Sequence, residues 1–78
     1  MTIMPKKYYR IVSRGDAVRR ARIFAGLTAE EFASRIGLSR PMLSSIENGA
    51  GTTVKTAHKI AHCLDTSMEE LFEVIDTR

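Results

Sequence analysis

The 78-residue sequence predicts an all-α domain of five short helices behind an N-terminal arm. Three features predict it. Apolar residues recur at three- and four-residue intervals after Ser13. A residue that can cap a helix stands before each such stretch, and glycine follows the first three. Strand-like signals are confined to residues 8–12.

Asp16, or Ser13 one turn earlier, is the expected cap of a first helix running to Ala25, with Gly26 as its left-handed stop. Thr28-Ala-Glu-Glu31 reads as a capping box, in which hydroxyl and carboxylate each satisfy an otherwise orphan amide. Ala29, Phe32, Ala33 and Ile36 then share one face, and Gly37 closes the second helix. Ser39 is the expected cap of a third helix ending near Glu47, with Asn48-Gly49 as its stop. Pro41 falls in its first turn, where a missing N–H costs nothing. Thr53 opens a fourth helix with the stripe Val54, Ala57, Ile60, Ala61 and Leu64. Ser67-Met-Glu-Glu70 is read as a second capping box, opening a fifth helix with Met68, Leu71, Phe72 and Ile75 in line. The predicted division is an arm over residues 1–13 and a helical domain over 14–78. Helices this short are marginal alone, so tertiary packing must hold them.

Composition narrows the function classes. A chain of this length has little room for an enclosed substrate cavity with a full catalytic shell, which counts against an enzyme. With aromatics at 6% and no tryptophan, the core must be mainly aliphatic. The single cysteine, Cys63, excludes an internal disulfide framework and fits a reducing compartment. No apolar run approaches the roughly 18 residues that cross a bilayer, and the first ten residues lack a signal-peptide core. A soluble cytoplasmic protein, free of membrane contact, is the expectation. No catalytic residue and no cofactor site is predicted. His58 and His62 stand four residues apart beside Cys63, but Lys59 occupies the place of a zincin helix's glutamate, so no metal site is predicted either.

Charge is distributed unevenly. Residues 1–49 carry nine basic and four acidic side chains, a net of +5; residues 50–78 carry three and five, a net of −2. A basic front half with an acidic tail suits a polyanion met by one face only. The Gly37-Leu38-Ser39 connection is short enough to force the second and third helices to cross sharply, which is helix-turn-helix geometry.

Residues 22–72 resemble the phage-repressor and Cro-like helix-turn-helix family. The matching residues are Arg22, then Gly26-Leu27-Thr28 with Glu30-Glu31-Phe32-Ala33, and Ile36-Gly37-Leu38-Ser39-Arg40. They continue through Leu43-Ser44, Ile46-Glu47-Asn48-Gly49, Lys59-Ile60-Ala61, Leu64 and Glu69-Glu70-Leu71-Phe72. The resemblance implies a repressor-like domain whose third helix lies in the DNA major groove, reading bases from its first turn and one turn on. With Leu43 and Ile46 inward, Arg40, Pro41, Ser44 and Ser45 face out. Arg40 suits the O6/N7 edge of guanine or a phosphate, Pro41 a thymine methyl, and the serines either bases or phosphates. The full expected DNA-facing set is Thr28, Ser39, Arg40, Pro41, Ser44, Ser45, Asn48 and Thr52, with Lys6, Lys7 and Arg10 from the arm. Two positions depart from the family pattern: Ala29 stands where glutamine is common, and Ala50-Gly51-Thr52 replaces a loop that often carries lysine or arginine. The arm is expected to supply the missing charge along the DNA, or else to pair as a strand with its counterpart in a dimer. The resemblance also implies a structural ion pair between Arg22 and Glu47.

The expected function is therefore a homodimeric, sequence-specific regulator that represses by occupying a palindromic operator, of bacterial or phage origin. The dimer is expected mainly on the fifth helix, with Ile23 and Val74 left as exposed apolar residues. An antitoxin-type protein that also binds a toxin, and a protein-interaction module without DNA binding, are the rival readings. No separate effector-sensing domain is expected.

Overall fold

A computed structural model describes residues 9–76. Its elements run β1 (Tyr9–Ser13), α1 (Gly15–Phe24), α2 (Ala29–Ile36), α3 (Arg40–Glu47), β2 (Gly51–Thr52), α4 (Val54–Leu64), α5 (Met68–Leu71) and β3 (Phe72–Asp76). Five helices are present in the expected order. The fold is not purely all-α, because an antiparallel three-stranded sheet, ordered β2-β1-β3, sits beside them.

The inner helices end where local chemistry says they should. The Thr28 hydroxyl accepts the Glu31 N–H at 3.0 Å, and the Thr28 N–H donates to Glu31 Oε1 at 2.9 Å, so the first capping box is complete. Gly37 adopts a left-handed φ of 72° and turns the chain into Ser39, whose hydroxyl accepts the Met42 N–H. Thr53 caps α4 in the same way through the Thr56 N–H. Phe32, Ile36, Leu43, Ile46, Ile60 and Leu64 close the core between α2, α3 and α4.

Three expectations need correction. Neither Asp16 nor Ser13 caps α1: its N-cap is Arg14, with no side-chain cap bond. The Ser13 hydroxyl is instead buried and donates to the Ile46 carbonyl, fastening β1 to the end of α3. The second capping box is only half formed, since Ser67 accepts from the Glu70 N–H without a described reciprocal bond from Glu70. The fifth helix is a single turn. At Phe72 the backbone turns extended (φ −135°, ψ 157°), and Ile75, expected on the helical stripe, lies on β3 instead. Leu71 and Phe72, on either side of the change, are both buried in the core.

The strand signal in the arm becomes β1, with Ile11 in the core. Its pairing is within the chain rather than with a second copy: β3 runs along all five of its residues, and β2 takes Ile11 and Val12 on the other side. Glycine at position 15 makes the α1–α3 contact possible. A β-carbon there would collide with the Glu47 carbonyl, 2.8 Å from its carbon and 3.0 Å from the Gly49 nitrogen. Among the described residues, no helix is long and apolar enough to cross a membrane.

Candidate nucleic-acid interface

The third helix is held from behind and open in front. Leu43 and Ile46 are buried, while Arg40, Pro41, Ser44 and Ser45 are exposed, so the inward and outward sets match the helical reading. Between α3, β2 and the start of α4 lies a hollow of about 600 Å³. Ser39, Pro41, Ser45 and Thr52 line it together, bringing four of the expected DNA-facing residues to one surface. Met42 joins them and is half exposed, a contributor the sequence reading passed over. Its signal was available: Met42 precedes Ser45 by three residues, one turn along the same side of the helix.

The remaining expected residues sit around this hollow in different states. Arg40 is exposed at the first position of α3, with no carboxylate partner among the described residues. Asn48 is exposed, but its side-chain amide already donates to the Ser44 carbonyl at 2.9 Å, closing the end of α3. Thr28 stands at the start of α2 with its hydroxyl oxygen and backbone N–H both engaged by Glu31. Its N–H, and then its hydroxyl, hold the Glu31 carboxyl below the ordinary value for a glutamate. Lys6 and Lys7 lie outside the described residues.

Of the three basic arm residues expected at the DNA, Arg10 lies within the described residues. It projects from the outer face of β1 toward the loop after α3, where a β-carbon on Gly51 would stand 3.4 Å from its Nη2. A guanidinium therefore lies beside the loop at Ala50-Gly51-Thr52, which carries no cation of its own. Gly51 leaves the space in which that side chain rests.

Behind α3, the Glu47 carboxylate is buried and gathers α1. Arg22 Nε donates to Oε2 at 2.6 Å and Arg22 Nη2 to Oε1 at 3.3 Å, while Arg22 Nη1 reaches the Leu27 carbonyl at 3.0 Å. Arg19 Nε adds a longer contact to Oε1 at 3.5 Å. Arg22 and Glu47 thus meet as a forked pair, and Arg19, one turn before Arg22 on α1, is a member the sequence reading did not include. Its exposed side chain makes it the lesser partner. The arrangement fixes the angle at which α3 is presented.

The second and third helices, the tight Gly37 turn and this clamp coincide with a sequence match to the helix-turn-helix family over residues 18–71. The chain belongs to that family, in its Cro/C1-type branch. A protein of Methanoculleus marisnigri, provisionally named an HTH-type transcriptional regulatory protein, is 32% identical over 71 residues, which are 91% of this chain. The chain spans about a quarter (23%) of that relative's length. Two solved structures share the fold. The biofilm master regulator SinR, crystallised with DNA, superposes with a TM-score of 0.67 at 26% identity over 72% of this chain and 95% of its own. The restriction-modification controller C.AhdI of Aeromonas hydrophila gives 0.65 at 30% identity over 72% and 86%.

His58 and His62, weighed as ligands in the sequence, are exposed on this helix-turn-helix chain's α4, while Cys63 packs partly against the core. Among the described residues, no group of three histidine, cysteine or carboxylate side chains gathers at one point.

Proposed function

We propose that this chain is a sequence-specific DNA-binding transcriptional regulator that occupies a two-fold operator as a dimer and represses by doing so. The observation that carries the reading is the presentation of α3. Its apolar side is locked to the body, its amino end is capped by Ser39, and its exposed first turn offers a guanidinium and an apolar ring. Helix-turn-helix proteins present such a turn to base edges in the major groove, and two copies about 34 Å apart read successive grooves. SinR, similar in fold, was crystallised with DNA, and the related proteins are named as regulators.

In this reading Arg40 specifies, Pro41 and Met42 offer apolar contact to a thymine methyl, and Ser39, Ser44 and Ser45 hydrogen-bond to bases or phosphates. Arg10, Lys6, Lys7, Thr28, Asn48 and Thr52 belong to the phosphate set. Arg10 takes the role left by the uncharged loop at Ala50-Gly51.

Arg40→Ala is expected to weaken binding to the cognate duplex by about 1–3 kcal/mol per half-site and to flatten the preference at one base pair of each half-site. Titrations against a panel of single-base-pair variants measure both effects. An equal loss on cognate and random DNA would assign Arg40 to a phosphate.

Arg10→Ala is expected to weaken binding evenly across sequences. It should also reduce the steepness of log K against log salt concentration by about 1.8, the contribution of two neutralised phosphates, one from each protomer. An unchanged slope would remove Arg10 from the interface.

A further inference from the structure

We infer that His58 and His62 form a two-imidazole chelate for a late first-row divalent metal ion, copper(II) most tightly, on the outer face of α4. The site is separate from the proposed DNA surface, since none of the residues around it lines the hollow beside α3. It stands independently of the DNA reading.

The helix fixes the pair. Burial of Ala57, Ile60, Ala61 and Leu64 sets which way α4 faces. Its start is held by the Thr53 hydroxyl, which accepts the Thr56 N–H, and at its end the Asp65 N–H returns to the carbonyls of Ala61 and His62. Positions 58 and 62 are left outward, one turn apart, and both side chains are exposed. Residues four apart on a helix hold their β-carbons about 5–6 Å from each other, and histidines at this spacing on one face can share a metal ion. Both border one hollow of about 530 Å³, with Asp65 beside them. Neither imidazole is held in an ion pair among the described residues. Because the two ligands ride on a packed and capped helix, binding an ion orders no loop.

The donors and their surroundings select the metal. Imidazole nitrogen suits copper, nickel and zinc, whereas magnesium and calcium are held by oxygen. At a given nitrogen site the affinity of divalent ions rises along the first row to copper(II) and falls again at zinc(II). Among the described residues, no third histidine, cysteine or carboxylate gathers with the pair, so water fills the other coordination positions. The ion is therefore exchangeable, unlike a closed structural zinc with four protein ligands. Charge nearby is mixed. Lys55, three residues before His58, and Lys59, next to it, both oppose a bound cation. Asp65 offsets them: it ends α4 in a left-handed conformation (φ 51°), which aspartate tolerates, and borders the same hollow as the two imidazoles.

The test titrates the full chain with metal chlorides, in a Cys63→Ala background so that the thiol neither binds nor reduces copper(II). Calorimetry should find a single tightest copper(II) site per chain, weaker nickel(II) and zinc(II) binding at the same place, and no magnesium(II) binding. His58→Gln and His62→Gln exchange exposed residues for one that suits a helix, so both variants keep their fold. Each should weaken copper(II) at least about tenfold, because even the loss of a group that only supports a metal ligand costs about 10–100-fold. Combining His58→Gln with Lys55→His restores the number of imidazoles but sets them two turns, about 10 Å, apart, and should bind no better than His58→Gln alone. Nickel(II) on the wild-type chain and on the two single variants repeats the comparison with Cys63 in place. Substoichiometric copper(II) should broaden the amide NMR signals of residues 58–66 before all others. Unchanged affinity in the single variants, recovery in the relocated pair, or broadening centred elsewhere in the chain overturns the proposal. So does a chain that binds neither copper(II) nor nickel(II).

Discussion

Replacing Glu47 by alanine is expected to destabilise the domain by about 3–5 kcal/mol. The carboxylate is buried at the end of α3 and receives Arg22 in a fork, with Arg19 outside it. Removing it leaves the Arg22 guanidinium, 13% exposed, without its counter-charge in a site that solvent barely reaches. Small domains hold a net stability of roughly 0.05–0.15 kcal/mol per residue, so the loss consumes a large part of the total. Urea unfolding followed by circular dichroism measures it as a lower midpoint with an unchanged slope. The paired replacement Arg22→Met with Glu47→Leu is expected to recover much of the stability, because an apolar pair of similar volume does not carry the desolvation cost. Removing Arg22 or Glu47 alone should also weaken DNA binding even where the domain stays folded, since the pair sets the direction of α3. Recovery of stability without recovery of binding would show that the clamp orients as well as stabilises.

Gly15→Ala is the second large effect, at about 3 kcal/mol, near the upper end for forcing extra atoms into a packed site. The added methyl meets the backbone of Glu47 and Gly49 rather than a flexible side chain, so relief requires α1 to move away from α3. For a domain of this size the melting temperature should fall by at least about 10 °C. Gly37→Ala is the useful contrast. Nothing lies within 4 Å of a β-carbon at Gly37, and the only penalty is a left-handed φ of 72°, about 1 kcal/mol. The ordering, with Gly15 costlier than Gly37, separates close approach from backbone conformation. Equal losses at the two sites would refute the packing account of Gly15.

What the sequence made legible was local. Thr28, Ser39 and Thr53 cap helices with bonds that span three residues, and Gly26 and Gly37 stop helices with a left-handed turn. Such signals need no knowledge of the rest of the fold. The outward set of α3 followed from the same logic, once Leu43 and Ile46 were assigned inward. The β3 strand was not legible in this way. Met68, Leu71, Phe72 and Ile75 fit a helical spacing, whereas the alternation Phe72-Glu73-Val74 breaks at Ile75 and is too short to signal a strand. The choice between them is made by β1, about 60 residues earlier, which offers Phe72–Asp76 a full ladder of partners. Gly15 and Ser13 escaped for a similar reason: each is determined by the distant end of α3, at Ile46 to Gly49. The role proposed for Arg10 lay between the two cases. The missing loop charge could be read from Ala50-Gly51-Thr52, but not that β1 would carry a guanidinium to that place.

This chain is proposed to read a DNA sequence. The most direct test is selection of bound fragments from a randomised duplex pool, followed by titration of the enriched duplex and a scrambled duplex of equal composition across a salt series. An enriched sequence with two-fold symmetry is expected, bound at least about a thousandfold more tightly than its scramble. Binding of both duplexes should fall steeply as salt rises. No enrichment, or equal affinity for the two duplexes with a flat salt response, would contradict it.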